Sequence, residues 1–101
     1  MLAQAWSFAN RLADSCDDRW LRLGLAAVSI DDNGTAFRDS YVALGDLYIC
    51  AVRCGIEPGP YFEEVAEISS GVPNIEQTPM RDFLLRFEGS AYFRETVAPK
   101  L

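Results

Sequence analysis

The sequence predicts an all-α fold: a compact single-domain bundle of five or six helices around a central antiparallel hairpin, about 17–30 and 36–54. Three observations predict it. Apolar residues recur at helical spacing along nearly the whole chain, and no segment gives a convincing alternation of period two. The breaks between apolar stretches carry helix-capping and helix-stopping residues. The two most apolar stretches are separated by a short break, which requires antiparallel neighbours. The chain has 101 residues, 50% of them hydrophobic and 12% aromatic, so residues 1–101 are read as one domain with a real core.

In the first element, "LAQAWSFANRLAD", Leu2, Ala5, Trp6, Ala9 and Leu12 form one amphipathic stripe. The second, "DSCDDRWLRLGLAAVSI", is expected to be capped by Asp14 or Ser15, with Asp17 and Asp18 in its first turn. Trp20, Leu21, Leu23, Leu25, Ala27, Val28 and Ile30 cover most of its circumference, as in a central helix. The third begins after a Thr35 cap and presents Phe37, Tyr41, Leu44, Tyr48 and Ala51. Gly55, Ile56 and Pro58 end it. Gly24 and Gly45 are expected to let these two helices approach closely. A shorter helix follows, with Pro60 at its first position and Gly71 at its end. Its Phe62, Val65, Ala66 and Ile68 face inward, and Glu63, Glu64 and Glu67 face out. A last helix starts at Thr78-Pro79 and turns Phe83, Leu84 and Phe87 inward. Gly89-Ser90 either kinks it or separates it from "AYFRETV".

The break "SIDDNGTAF" contains the densest set of metal-capable residues. With Gly34 at position 6 of a calcium loop, position 12 falls on Ser40, which cannot supply the bidentate carboxylate. Starting at Asp31 places Ala36 where glycine is required. Asn33-Gly34 suits a β-hairpin turn, yet the upstream residues follow a helical period. A helix-to-helix loop accounts for every residue.

Several chemistries are disfavoured. There is no histidine, no nucleophile–base arrangement and no glycine-rich phosphate loop. Neither a metal site nor a cofactor is expected. Cys50 and Cys54, one helical turn apart, read as small hydrophobes rather than ligands. The net charge of −6 opposes nucleic-acid binding, and no apolar run is long enough for a bilayer. An odd cysteine count, with a start that does not read as a signal peptide, predicts reduced thiols and a cytoplasmic location. Residues 58–78 carry four glutamates and no base. Within them Glu63, Glu64 and Glu67 form an acidic face suited to a basic protein partner. Asp46, set within "ALGDLYIC", is expected to pair with Arg22.

The leading expectation is a small acidic interaction module without catalysis: an adaptor, a regulator, or an immunity- or antitoxin-type inhibitor. The alternative is a small-molecule-binding protein or a carboxylate/arginine enzyme using the Arg38, Asp39 and Asp46 helix face. Homo-oligomerisation through spare aromatics such as Tyr61, Tyr92 and Phe93 is compatible with either.

Overall fold

Helix α1 (Ala3–Ser15) lays Ala5, Ala9 and Leu12 into the core against α2 (Asp18–Asp31) and α3 (Phe37–Arg53). Helix α4 (Gly59–Ser70) packs on α2. A C-terminal segment of 3-10 turns and one π-helical turn closes over α3. The computed structural model describes the backbone of residues 3–31, 37–70 and 84–101, and the side chains of 4–28, 40–67 and 84–101. The expectations for Leu2, Ile30, Thr35, the Phe37 side chain, Ile68, Gly71, Thr78-Pro79 and Phe83 lie outside these residues, as do residues 32–36 of the expected break. The chain is helical up to Asp31 and again from Phe37, where an Asn33-Gly34 hairpin would need strands.

Helices α2 and α3 form a central pair with α1 packed against both, although Leu23, expected within the apolar cover of α2, is exposed. Leu21, Leu25 and Val28 of α2 and Leu44, Leu47 and Ala51 of α3 are fully buried. Each such leucine contributes about 2 kcal/mol through burial. Gly24 faces Leu47 across this interface, so close that a β-carbon would meet the leucine methyls. Gly45 departs from expectation. It faces away from α2, and its neighbours are Val97 and Tyr92 of the C-terminal segment. The two glycines therefore admit different neighbours.

Local chemistry sets the helix ends. Asp14 and Ser15 still belong to α1, so neither caps α2. Asp17 does: its Oδ1 accepts the Arg19 N–H at 3.0 Å. At the end of α3, Ile56 N–H donates to Ala51 O at 2.9 Å and Gly55 N–H to Val52 O at 3.0 Å, with Gly55 at φ +76°. This is a Schellman stop, and glycine takes its left-handed position without a β-carbon penalty. Helix α1 ends in the same hand, but on a cysteine. Cys16 sits at φ +54° and donates its N–H to Leu12 O at 2.9 Å.

Cys16 is joined to Cys54 by a disulfide, with a Cα–Cα separation of 5.3 Å. The expectation of three reduced thiols is corrected, and the argument from cysteine count to a reducing compartment goes with it. The two residues lie 38 positions apart, and the packing of α1 on α3 brings them together. Cys50 is the free thiol, half-buried against the core as a small hydrophobe would be.

The last helix ends before Ser90. A 3-10 turn, Phe87–Gly89, precedes Ser90 in an extended conformation. The Ser90 hydroxyl donates to Phe87 O at 2.6 Å and accepts the Phe93 N–H at 3.1 Å, so it caps the helical segment that starts at Ala91 and runs into the π-helical turn Phe93–Val97. Gly89-Ser90 is thus a separator. Phe87, fully buried, stacks on Phe62 of α4 at 5.4 Å and meets Phe93 edge-on at 5.6 Å. Tyr48 of α3 meets Phe93 edge-on at 5.0 Å. These rings join α3, α4 and the C-terminal segment.

Candidate functional site: the α2–α4 bracket

The first turn of α2 and the first turns of α4 share a cluster of four polar side chains. Asp18 and Arg22 stand one turn apart on α2, and Arg22 Nη1 donates to Asp18 Oδ2 at 3.0 Å. Across the interface, Arg22 Nε donates to both carboxylate oxygens of Glu64, at 3.1 and 3.2 Å. The Tyr61 hydroxyl donates to Asp18 Oδ2 at 2.8 Å. The Arg22 guanidinium lies 4.8 Å from the Tyr61 ring centroid, within cation–π range. With Pro60, Arg22, Tyr61 and Glu64 line an open notch of about 260 Å³.

The charged side chains remain over two-fifths exposed, so each ion pair alone is weak. Their value is geometric. The planar guanidinium is held between two carboxylates and a ring, which fixes the rotation of α4 relative to α2. The Tyr61 hydrogen bond holds Asp18 below the usual carboxylate range; burial opposes it, and the Arg22 charge adds a smaller lowering effect. The hydrogen bond to Asp18 conversely pushes the Tyr61 phenol up. The Glu64 carboxylate raises Arg22 further. The signs follow by linkage. Asp18 is depressed, so its contribution is present above the ordinary carboxylate range and is lost as pH falls through its folded value. Tyr61 is raised, so its contribution is complete below the ordinary phenol range and is lost as pH rises through its folded value. In Asp18→Asn the Tyr61 ring resonances should titrate at lower pH than in the parent. An unchanged titration would show that the Tyr61–Asp18 bond does not persist in solution.

Arg22 therefore pairs with Asp18 and Glu64, and the expected Arg22–Asp46 pair does not form. The physical reason is helical phase. Asp46 shares an outer stripe of α3 with Val42, Cys50 and Arg53, although its immediate sequence neighbours, Gly45 and Leu47, are buried. Partial burial pushes its carboxyl up, and the Lys100 charge offsets part of that effect. Burial, with a smaller contribution from Asp46, pushes the Cys50 thiol up. Arg38 and Asp39 lie in the first turn of α3, with side chains outside the described residues.

On α4, Glu63 and Glu67 are exposed, and Glu64 serves the bracket. Nothing in the local sequence distinguishes Glu64 from its two neighbours. The Asp18–Arg22 spacing is legible in the sequence. The cross-helix half of the bracket, with Tyr61, is not. Tyr61, Tyr92 and Phe93 are half-buried, and each makes contacts within the chain. Tyr61 lies under Arg22, Tyr92 stacks on Tyr41 at 5.7 Å, and Phe93 belongs to the Phe87 cluster. Among the described residues no three acidic, cysteine or histidine side chains group to hold a metal ion, and no helix is long and apolar enough to cross a membrane. Compared with family models, curated proteins and solved structures, the chain has no significant match.

Proposed function

We propose that the chain is a small acidic protein-interaction module without catalysis of its own, acting as an adaptor, a regulator or an immunity- or antitoxin-type inhibitor. It meets a basic protein surface with the outer face of α4. The supporting observation is the position of Glu63 and Glu67, exposed on a helix whose rotation the Arg22–Glu64 contact fixes. A carboxylate face held in register needs less ordering on association and steers a cationic partner during approach. The overall charge of −6 acts in the same direction and disfavours nucleic acid.

The test is capture from native lysate with the parent and with the double variant Glu63→Lys/Glu67→Lys, leaving Glu64 in place to preserve the bracket. The parent should retain a basic protein, and the variant should lose it by on the order of tenfold or more, with salt weakening the parent complex. An identical set of captured proteins from both baits would overturn the acidic-face reading.

A further inference from the structure

We propose that the Cys16–Cys54 disulfide is a redox latch that sets the order of the α2–α4 bracket. The inference follows from where the bond sits. Cys16 closes α1 and lies two residues before Asp18, at the start of α2. Cys54 follows the last residue of α3, and the same elbow leads through Pro58 into α4 and Tyr61. The bond thus ties the α1–α2 elbow to the α3–α4 elbow. These are the two hinges from which the Asp18/Arg22 and Tyr61/Glu64 halves of the bracket extend.

The backbone at these hinges is unequal. Gly55 adopts its left-handed conformation freely, whereas Cys16 carries a β-carbon at φ +54°. Two constraints hold Cys16 there: the N–H bond to Leu12 O and the disulfide. Removing the second leaves Cys16 itself with one backbone hydrogen bond, beside the neighbouring Ser15–Arg11 and Asp17–Arg19 contacts of the exposed elbow. The core has its own support, because Ala5, Ala9 and Leu12 are buried against α2 and α3 independently of the two sulfurs. Reduction therefore loosens the elbows and leaves the central pair standing.

The bond is also reachable. Cys16 is exposed and Cys54 half-buried. A thiolate of a dithiol reductant attacks the Cys16 sulfur, forms a mixed disulfide and releases Cys54 as a thiolate. The second thiol of the reductant then closes its own disulfide and releases Cys16. Two electrons and two protons pass from the dithiol to the protein, and a small disulfide such as oxidised glutathione reverses the exchange. Cys50, one turn before Cys54 on α3, is the internal competitor. Its packing against the core keeps it a thiol and a poor nucleophile, so exchange runs with external reductants. A reducing compartment would hold the chain unlatched and an oxidising one would hold it latched, whatever the α4 face binds.

Hydrogen exchange read by mass spectrometry tests the latch on the intact chain, with thiols counted by alkylation in denaturant. After exposure to oxidised glutathione, one thiol, Cys50, should react, and dithiothreitol should bring the count to three. Reduction, and equally Cys16→Ser, should speed amide exchange in residues 16–22 and 55–64 by on the order of tenfold. Residues 43–51 should stay protected, and re-oxidation should restore the parent pattern. Cys50→Ser should behave as the parent does. Three reactive thiols after glutathione oxidation, or unchanged exchange at both elbows on reduction, would overturn the latch. So would loss of protection throughout the chain, because the bond would then be a global staple.

Discussion

Replacing Phe87 with alanine is expected to cost about 3–5 kcal/mol of unfolding free energy. Phe87 is fully buried and its ring faces four others: Phe62 at 5.4 Å, Phe93 at 5.6 Å, Tyr41 at 5.9 Å and Tyr48 at 6.1 Å. Each of those partners sits on a different arm of the fold or on the central helix. Truncation removes the apolar contacts and leaves a void that four rings on three different elements cannot collapse together to fill. A domain of this size has only about 5–15 kcal/mol in hand, so the variant should lie near the edge of folding. Urea denaturation followed by circular dichroism measures it directly. Phe87→Leu, which keeps most of the volume, should recover more than half of the loss. A cost below about 1 kcal/mol for Phe87→Ala would mean that the C-terminal segment is not docked as described, since a fully buried phenylalanine cannot be removed so cheaply.

Phe87 also marks the boundary of what was legible in the sequence. Its inward direction follows from helical spacing, as do those of Leu12, Leu25, Leu44 and Phe62. These are one-dimensional facts: a period of 3.6 residues and a continuous apolar stripe. The conformation just beyond Phe87 is not of this kind. Ser90 ends one helix and caps another only because its hydroxyl reaches both Phe87 O and the Phe93 N–H, and the sequence admits a kink equally well. The candidate site divides in the same way. Asp18 and Arg22 are readable as a pair one turn apart, whereas Glu64 lies 42 positions from Arg22 and is one of three similar glutamates. Asp46 misled for a reason of phase. A residue flanked by buried neighbours in sequence can still sit on the outer stripe of its helix, because adjacent positions are about 100° apart. The disulfide was hidden by distance along the chain and by the odd count, which argues for free thiols unless one cysteine is set aside.

The second large effect lies at the centre of the α2–α3 pair, and it is a change of sign. A β-carbon built on Gly24 would fall 2.5 Å from Leu47 Cδ2 and 3.1 Å from Cδ1. Leu47 is fully buried, so its methyls have little space to retreat into. Gly24→Ala alone should therefore destabilise by about 1 kcal/mol. The overpacking cost of about 1–3 kcal/mol exceeds the gain of about 1 kcal/mol that alanine brings to a helix interior. Leu47→Ala alone should cost about 3 kcal/mol, through lost burial and the cavity that remains. In the Leu47→Ala background the obstructing methyls are gone. Gly24→Ala then keeps its helix-propensity gain and partly fills the void, so it should stabilise by about 1 kcal/mol. The double-mutant cycle should show a coupling of about 2 kcal/mol, of the sign that makes the double variant more stable than additivity allows. Two alanines that simply add, within about 0.5 kcal/mol, would separate Gly24 from Leu47 and place the close approach of α2 and α3 elsewhere along the pair. The glycine on α3 supplies the contrast. Gly45 faces Val97 and Tyr92, so Gly45→Ala should not couple to Leu47→Ala, and the same cycle run at that position should close to additivity.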